Sequence, residues 1–111
     1  MAIAMSASTA QVDSRTFQDF LDHNPIAVVD FYADWCGPCR IVSPVIERLA
    51  GEYDGKAKFA KLDVDASSSI AGKFGVTSIP TLIIFKNGRP VDRIIGAAPV
   101  EHYRSKIGRV L

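Results

Sequence analysis

Cysteine is scarce in this chain, with two among 111 residues. A disulfide framework uses several bridges that close long loops, and two thiols make one bridge at most. An excess of charge is missing as well: 13 Lys and Arg stand against 12 Asp and Glu, for a net charge of +1. Without a basic stripe there is nothing to track a phosphate backbone, which excludes nucleic acid as a partner. No apolar run approaches the roughly 20 residues that a membrane-spanning helix needs, so no membrane partner is expected. Repeats, low-complexity tracts and linkers are absent too. The length and the 48% hydrophobic content therefore describe one globular domain with a single core.

The opening MAIAMSASTAQ has no basic n-region, and its apolar stretch is too short for a signal peptide. Residues 1–8 are expected to form a flexible extension, with Met5 as an alternative start, ahead of a domain over 9–111. The location that follows by default is the cytoplasm.

What is present is a pair. Both cysteines lie in FYADWCGPCR, at positions 36 and 39. As a staple the pair is weak, because a four-residue ring is worth about 2 kcal/mol against about 4.7 for a 100-residue loop. A reducing cytosol would not keep such a bridge closed. Metal ligation is the other structural use of paired cysteines. Zinc wants four ligands, however, and His23 and His102 are not at zinc-ligand spacing, so no metal is expected.

Periodicity sets out the elements. Thr9–Val12 can form a short first strand, and Asp13 or Ser14 can cap a helix to about His23 with Phe17, Phe20 and Leu21 on one face. IAVVDFYA, 26–33, reads as a strand buried on both faces, broken by one acid, Asp30. A helix from near Cys36 to near Gly51 is expected to turn Ile41, Val45, Ile46 and Leu49 inward and to kink at Pro44. AKFAKLDVD, 57–65, is a strand, and SSSIAGKFG a short helix closed by Gly75. TLIIF and PVDRIIG flank Asn87-Gly88, a strong hairpin signal, and a last helix over about Pro99–Arg109 carries Val100, Tyr103, Ile107 and Val110 as a stripe. The order βαβαβαββα implies an α/β fold, a mixed central sheet with helices on both faces.

In that order Cys36 starts a helix, where free N–H groups and the positive end of the macrodipole favour a thiolate. Cys39 lies nearly one turn on, on the same face, within bonding reach but more shielded. An exposed nucleophile over a buried resolver is the geometry of dithiol–disulfide exchange. Gly37 and Pro38 suit the join between strand and helix. Asp30 sits in a buried run, and desolvation should raise its pKa, which suits a proton acceptor; a structural Asp bonded to backbone amides is the alternative. Pro80 opens a run that otherwise reads as an internal strand, a conflict that a cis Ile79–Pro80 bond or a trans proline at the first strand residue would resolve.

WCGPC at 35–39, preceded by VDFYAD and followed in order by Pro44, KLDVD, IPT at 79–81, FKNG at 85–88 and Gly96, resembles the thioredoxin family over roughly residues 8–110. The resemblance implies the thioredoxin fold and a monomeric protein-disulfide reductase, a redox carrier with no bound cofactor, recharged by a separate thioredoxin reductase and serving disulfide-containing client proteins. It implies that Cys36 attacks, Cys39 resolves and Asp30 accepts the proton from Cys39, with Lys61 tuning that acid, although a solvated strand lysine is the plainer reading. It also implies a cis Pro80 and a client-binding rim of Trp35, Val76, Ile79, Pro80 and Gly96. Trp35 could instead be a core aromatic, and Gly96 could simply end a strand. Two departures stand out: Tyr32 where many members carry a second tryptophan, and Arg40 where lysine is common. A thiol oxidant or isomerase on the same fold is one rival, disfavoured by Gly-Pro between the cysteines. A binding subunit that uses the rim with incidental thiols is the other.

Overall fold

In the computed structural model, which describes residues 9–111, the chain runs β1 (Thr9–Val12), α1 (Phe17–His23), β2 (Ile26–Tyr32), α2 (Gly37–Glu52), β3 (Lys58–Asp63), α3 (Ser68–Lys73), β4 (Thr81–Lys86), β5 (Arg89–Ile95) and α4 (Val100–Gly108). The expected extension over residues 1–8 lies outside the described residues. The five strands form one mixed sheet in the order β1-β3-β2-β4-β5. Parallel pairing joins β1 to β3 and β3 to β2, and antiparallel pairing joins β2 to β4 and β4 to β5. No helix among the described residues is long and apolar enough to cross a membrane.

Strand alternation divides the core between the two faces of the sheet. On one face Val28, Phe59, Leu82, Ile84 and Ile94 pack against Val42, Ile46 and Leu49 of α2 and Tyr103 and Ile107 of α4. On the other, Ala27, Val29, Phe31, Leu62, Ile83 and Phe85 meet Phe17 and Leu21 of α1 and Ala71 of α3. There Phe17, Phe74 and Phe85 form three edge-on or tilted aromatic contacts at 5.3–5.7 Å between centroids. β2, paired on both sides and covered on both faces, is buried from Ala27 to Phe31. That is why it reads as a continuous apolar run.

The turns carry the chemistry that their geometry demands. Asn87 and Gly88, at φ 52° and 83°, close the β4–β5 hairpin with two left-handed residues, as the Asn-Gly signal predicts. Asp13 does not cap α1 directly. Its carboxylate accepts the N–H groups of Arg15 at 2.9 Å and Thr16 at 3.1 Å, making a turn that delays the helix to Phe17. The far end of α2 is tied to α4, where Arg104 pairs with Glu52 at 2.8 Å and with Glu101.

Another expectation fails on α2. Ile41 is 74% exposed, and the inner stripe of α2 runs through Cys39, Val42, Ile46, Leu49 and Ala50. Ile41 lies about 100° from Val42 around the helix, outside the arc that Cys39, Val42, Ile46, Leu49 and Ala50 occupy. The stripe set by Cys39 selects Val42.

Ile84, fully buried between β2 and β5 beneath α2, tests this core. Ile84→Ala should lower stability by about 2–5 kcal/mol, read as a lower urea midpoint at unchanged slope. A loss under about 1 kcal/mol would mean that this face of the sheet is not the packed core described.

Candidate active site

Where β2 ends, the chain turns through Ala33–Trp35 and enters α2 with Cys36 as N-cap, in an extended conformation at φ −88° and ψ 110°. Gly37 and Pro38 take the first helical positions, where a missing N–H costs no hydrogen bond. Cys36 and Cys39 are joined as a disulfide with Cα atoms 5.3 Å apart. Cys36 Sγ accepts the backbone N–H of Cys39 at 3.2 Å, the capping bond a serine or aspartate would make elsewhere.

The expected contrast in exposure is not what separates the two sulfurs in this disulfide form, since both cysteines are 4% exposed. Their surroundings separate them. Cys36 Sγ lies 3.9 Å from the carbonyl oxygen of Ile79, in the bend just before β4. Cys39 faces inward and borders a polar cavity. Tyr32, Val64 and Ile79 pack around the pair, and of these Val64 was not singled out from sequence.

The Ile79–Pro80 bond is cis, the first of the two alternatives. Thr81 Oγ1 donates to the Ser78 carbonyl at 2.6 Å, and Gly96 N–H donates to the Pro80 carbonyl at 2.7 Å, which brings Gly96 beside the bend. At φ 86° Gly96 occupies the left-handed region, and a Cβ there would meet nothing within 4 Å. The glycine is thus required by backbone conformation, and the space over it is open. Trp35 is 68% exposed, which rules out the core-aromatic alternative. Its indole N–H donates to Asp65 Oδ2 at 2.7 Å. Asp65 was not singled out from sequence. Val76 behaves differently from the other rim residues: it packs against the Phe17–Phe85 cluster on the opposite face, not with Ile79 around the cysteines.

Asp30, 2% exposed, lies on the α2 face of β2 in a row with Lys61 of β3 and Leu82 of β4. Its carboxyl opens on the cavity of about 310 Å³ that Cys39, Tyr32, Ser43 and Lys61 also line. Burial pushes the Asp30 pKa up from 3.8 to about 6, and the Lys61 ammonium partly offsets that rise. No structural bond from backbone amides to this carboxylate appears among the described residues. Lys61 is not simply solvated: its Nζ stands 4.5 Å from the centre of the Tyr32 ring and 3.5 Å from Ser43 Oγ. Ser43 escaped the sequence reading, although it lies four residues after Cys39 on the same side of α2, a spacing that could have found it. Among the described residues no group of three or more His, Cys, Asp and Glu is placed to hold a metal.

Comparison with known proteins agrees with this geometry. The family model for thioredoxin matches residues 8–109. The chain is 50% identical over 101 residues to the thioredoxin of Staphylococcus saprophyticus, covering 91% of this chain and 96% of that protein. Among solved structures, a mutant thioredoxin from Halobacterium salinarum superposes with a TM-score of 0.85 at 35% identity, over 91% of this chain and 88% of that one. Mitochondrial thioredoxin 3 from Saccharomyces cerevisiae, in its oxidized form, gives 0.84 at 33% identity, over 95% and 98%.

The buried acid has a measurable cost. The folded carboxyl keeps its proton to higher pH than the unfolded one, so its effect on stability is most favourable below about pH 4 and declines as pH rises through about 6. From 3.8 to about 6, this linkage amounts to roughly 3 kcal/mol. Asp30→Asn should therefore gain stability relative to the parent by that order between pH 3.5 and pH 8, as measured by urea unfolding of both oxidised proteins. Parallel pH profiles would show that Asp30 is not held in a desolvated site.

Proposed function

The chain belongs to the thioredoxin family, and on that premise we propose how its residues divide the work of protein-disulfide reduction: Cys36 attacks, Cys39 resolves and Asp30 takes the proton. The chemistry as a whole is reversible dithiol–disulfide exchange by a protein-disulfide reductase and redox carrier. The observation that supports this division is the disulfide at the N-terminus of α2, with Cys36 against the Ile79 carbonyl and Cys39 against the Asp30 cavity.

In the reduced protein a Cys36 thiolate at the N-cap has the Cys39 N–H and the positive end of a 16-residue helix to stabilise it. It attacks one sulfur of a client disulfide. That S–S bond breaks, a Cys36–client bond forms, and the departing client sulfur takes a proton from solvent. Cys39 then gives its proton to the Asp30 carboxylate, and its thiolate attacks Cys36 Sγ. The mixed disulfide breaks, the Cys36–Cys39 bond forms, and the second client sulfur leaves and is protonated. Two electrons have passed from the chain to the client. The cavity that separates Asp30 from solvent is large enough for several waters, each with a share of liquid volume of about 30 Å³, so the proton has a route out.

Client docking falls to the exposed Trp35, to Ile79 and Pro80, and to the open space over Gly96, where an extended client segment can pair with free backbone groups as an added strand. Val76 is a weaker member of that rim because it is occupied on the other face. Lys61 tunes Asp30. A separate thioredoxin reductase returns the disulfide to the dithiol, the chain works as a monomer over a domain spanning 9–111, and the reducing cytoplasm is the setting in which this direction of exchange operates.

Trapping separates the roles. Cys39→Ser should accumulate a disulfide-linked adduct with a model protein disulfide, and Cys36→Ser should accumulate none. Both should lose turnover to background, and Asp30→Asn should slow release from the adduct by roughly a hundredfold at pH 7. Adduct formation through Cys39 in Cys36→Ser would reverse the assignment. An equilibrium potential near −120 to −180 mV in place of the about −270 mV of thioredoxins would make the chain an oxidant or isomerase.

A further inference from the structure

A lysine on a strand beside a buried acid has a flexible four-carbon stem and ordinarily directs its charge to water. Lys61 does not. Two side chains from different elements meet its ammonium: the Tyr32 ring at 4.5 Å, from the end of β2, and Ser43 Oγ at 3.5 Å, from the first half of α2. The ammonium forms no ion pair among the described residues, and these two neutral groups are the side chains that meet it. The Tyr32 ring is itself held from behind. Its hydroxyl accepts a hydrogen bond from Gln11 Nε2 at 3.0 Å, and the same amide lies 3.4 Å from the Lys61 carbonyl. Gln11 of β1, Lys61 of β3 and Asp30 of β2 are direct register partners, so the bracket is built on three adjacent strands.

We propose that Ser43 and Tyr32 are positioning residues for disulfide exchange, which hold the Lys61 ammonium at the mouth of the Asp30–Cys39 cavity and act on the reaction only through it. This rests on the reading that Asp30 is the proton acceptor for Cys39. Around Asp30, β3 contributes Lys61, β2 and its following turn contribute Tyr32 and Asp34, and α2 contributes Cys39 and Arg40. Tyr103 of α4 feels the Asp30 charge, and β4 presents the apolar Leu82. Lys61 is the cation directly paired with Asp30 across the sheet, and an ammonium held there favours the carboxylate. If it is released to solvent the attraction weakens, and Asp30 titrates at higher pH.

The test reads two quantities on the full chain: the Asp30 carboxyl titration by carbon NMR, and the pH midpoint for release of a small thiol from its mixed disulfide with Cys36. Ser43→Ala and Tyr32→Leu should each raise both midpoints by about half a pH unit, toward the Lys61→Met value. Ser43→Thr, which keeps the hydroxyl, and Tyr32→Phe, which keeps the ring face, should titrate with the parent. In the Lys61→Met background, Ser43→Ala should add nothing. Midpoints unchanged in Ser43→Ala and Tyr32→Leu would overturn the proposal, as would an equal rise with Lys61 already gone. Asp30→Asn keeps the underlying reading separate. If the release midpoint survives that substitution, Asp30 is not the proton acceptor, while the NMR titration of Ser43→Ala still decides whether Lys61 is held.

Discussion

Because β2 and β3 pair in parallel, the chain must cross the sheet between them, and α2 is that crossover. Its first turn has to begin where β2 ends, which places a helix N-terminus at the carboxyl edge of the central strand. The two cysteines occupy that first turn. Asp30 lies two residues before the end of β2 on the face that α2 covers, so the geometry that presents the thiols also seals the acid beneath them. Antiparallel β4 then delivers the Ile79–Pro80 bend to the same edge. Three chemical parts meet there because one strand pair runs in parallel.

That arrangement works against stability. A carboxyl in the centre of a sheet loses its hydration, and the chain offers it one cation across the strand boundary and a polar cavity instead of a full set of hydrogen bonds. A well-packed aliphatic residue would serve the fold better. What the acid adds is a group that titrates at about 6, set between two apolar faces whose packing offsets the cost of burying it.

The parts of the site that are local in the chain were legible in the sequence: the cysteine turn at a helix start, the buried acid, the Asn-Gly hairpin, and the conflict at Pro80 that the cis bond resolves. The element order was legible as well, because hydrophobic period and turn residues agree along its length. What stayed hidden depends on contacts between distant segments. Asp65 reaches Trp35 across 30 positions, and Ser43 reaches Lys61 across 18. Cys36 is buried with the help of Tyr32, Val64 and Ile79, and Val76 also packs against the aromatic cluster on the other face. Ile41 was misplaced for a different reason. Two adjacent apolar residues fit one helical stripe equally well on paper, and only the packed sheet chooses between them.

The Asn87-Gly88 turn has a use that its backbone angles do not suggest. β4 ends at Lys86, opposite Ile26, where β2 begins, while the cysteines follow the other end of β2. Seven residues of strand, roughly 20 Å, therefore separate the turn from the disulfide. A tether or surface linkage fixed at this hairpin would leave the redox edge pointing away from its support, open to large protein substrates. The same sheet that insulates the acid would then act as the spacer of an immobilised reductant.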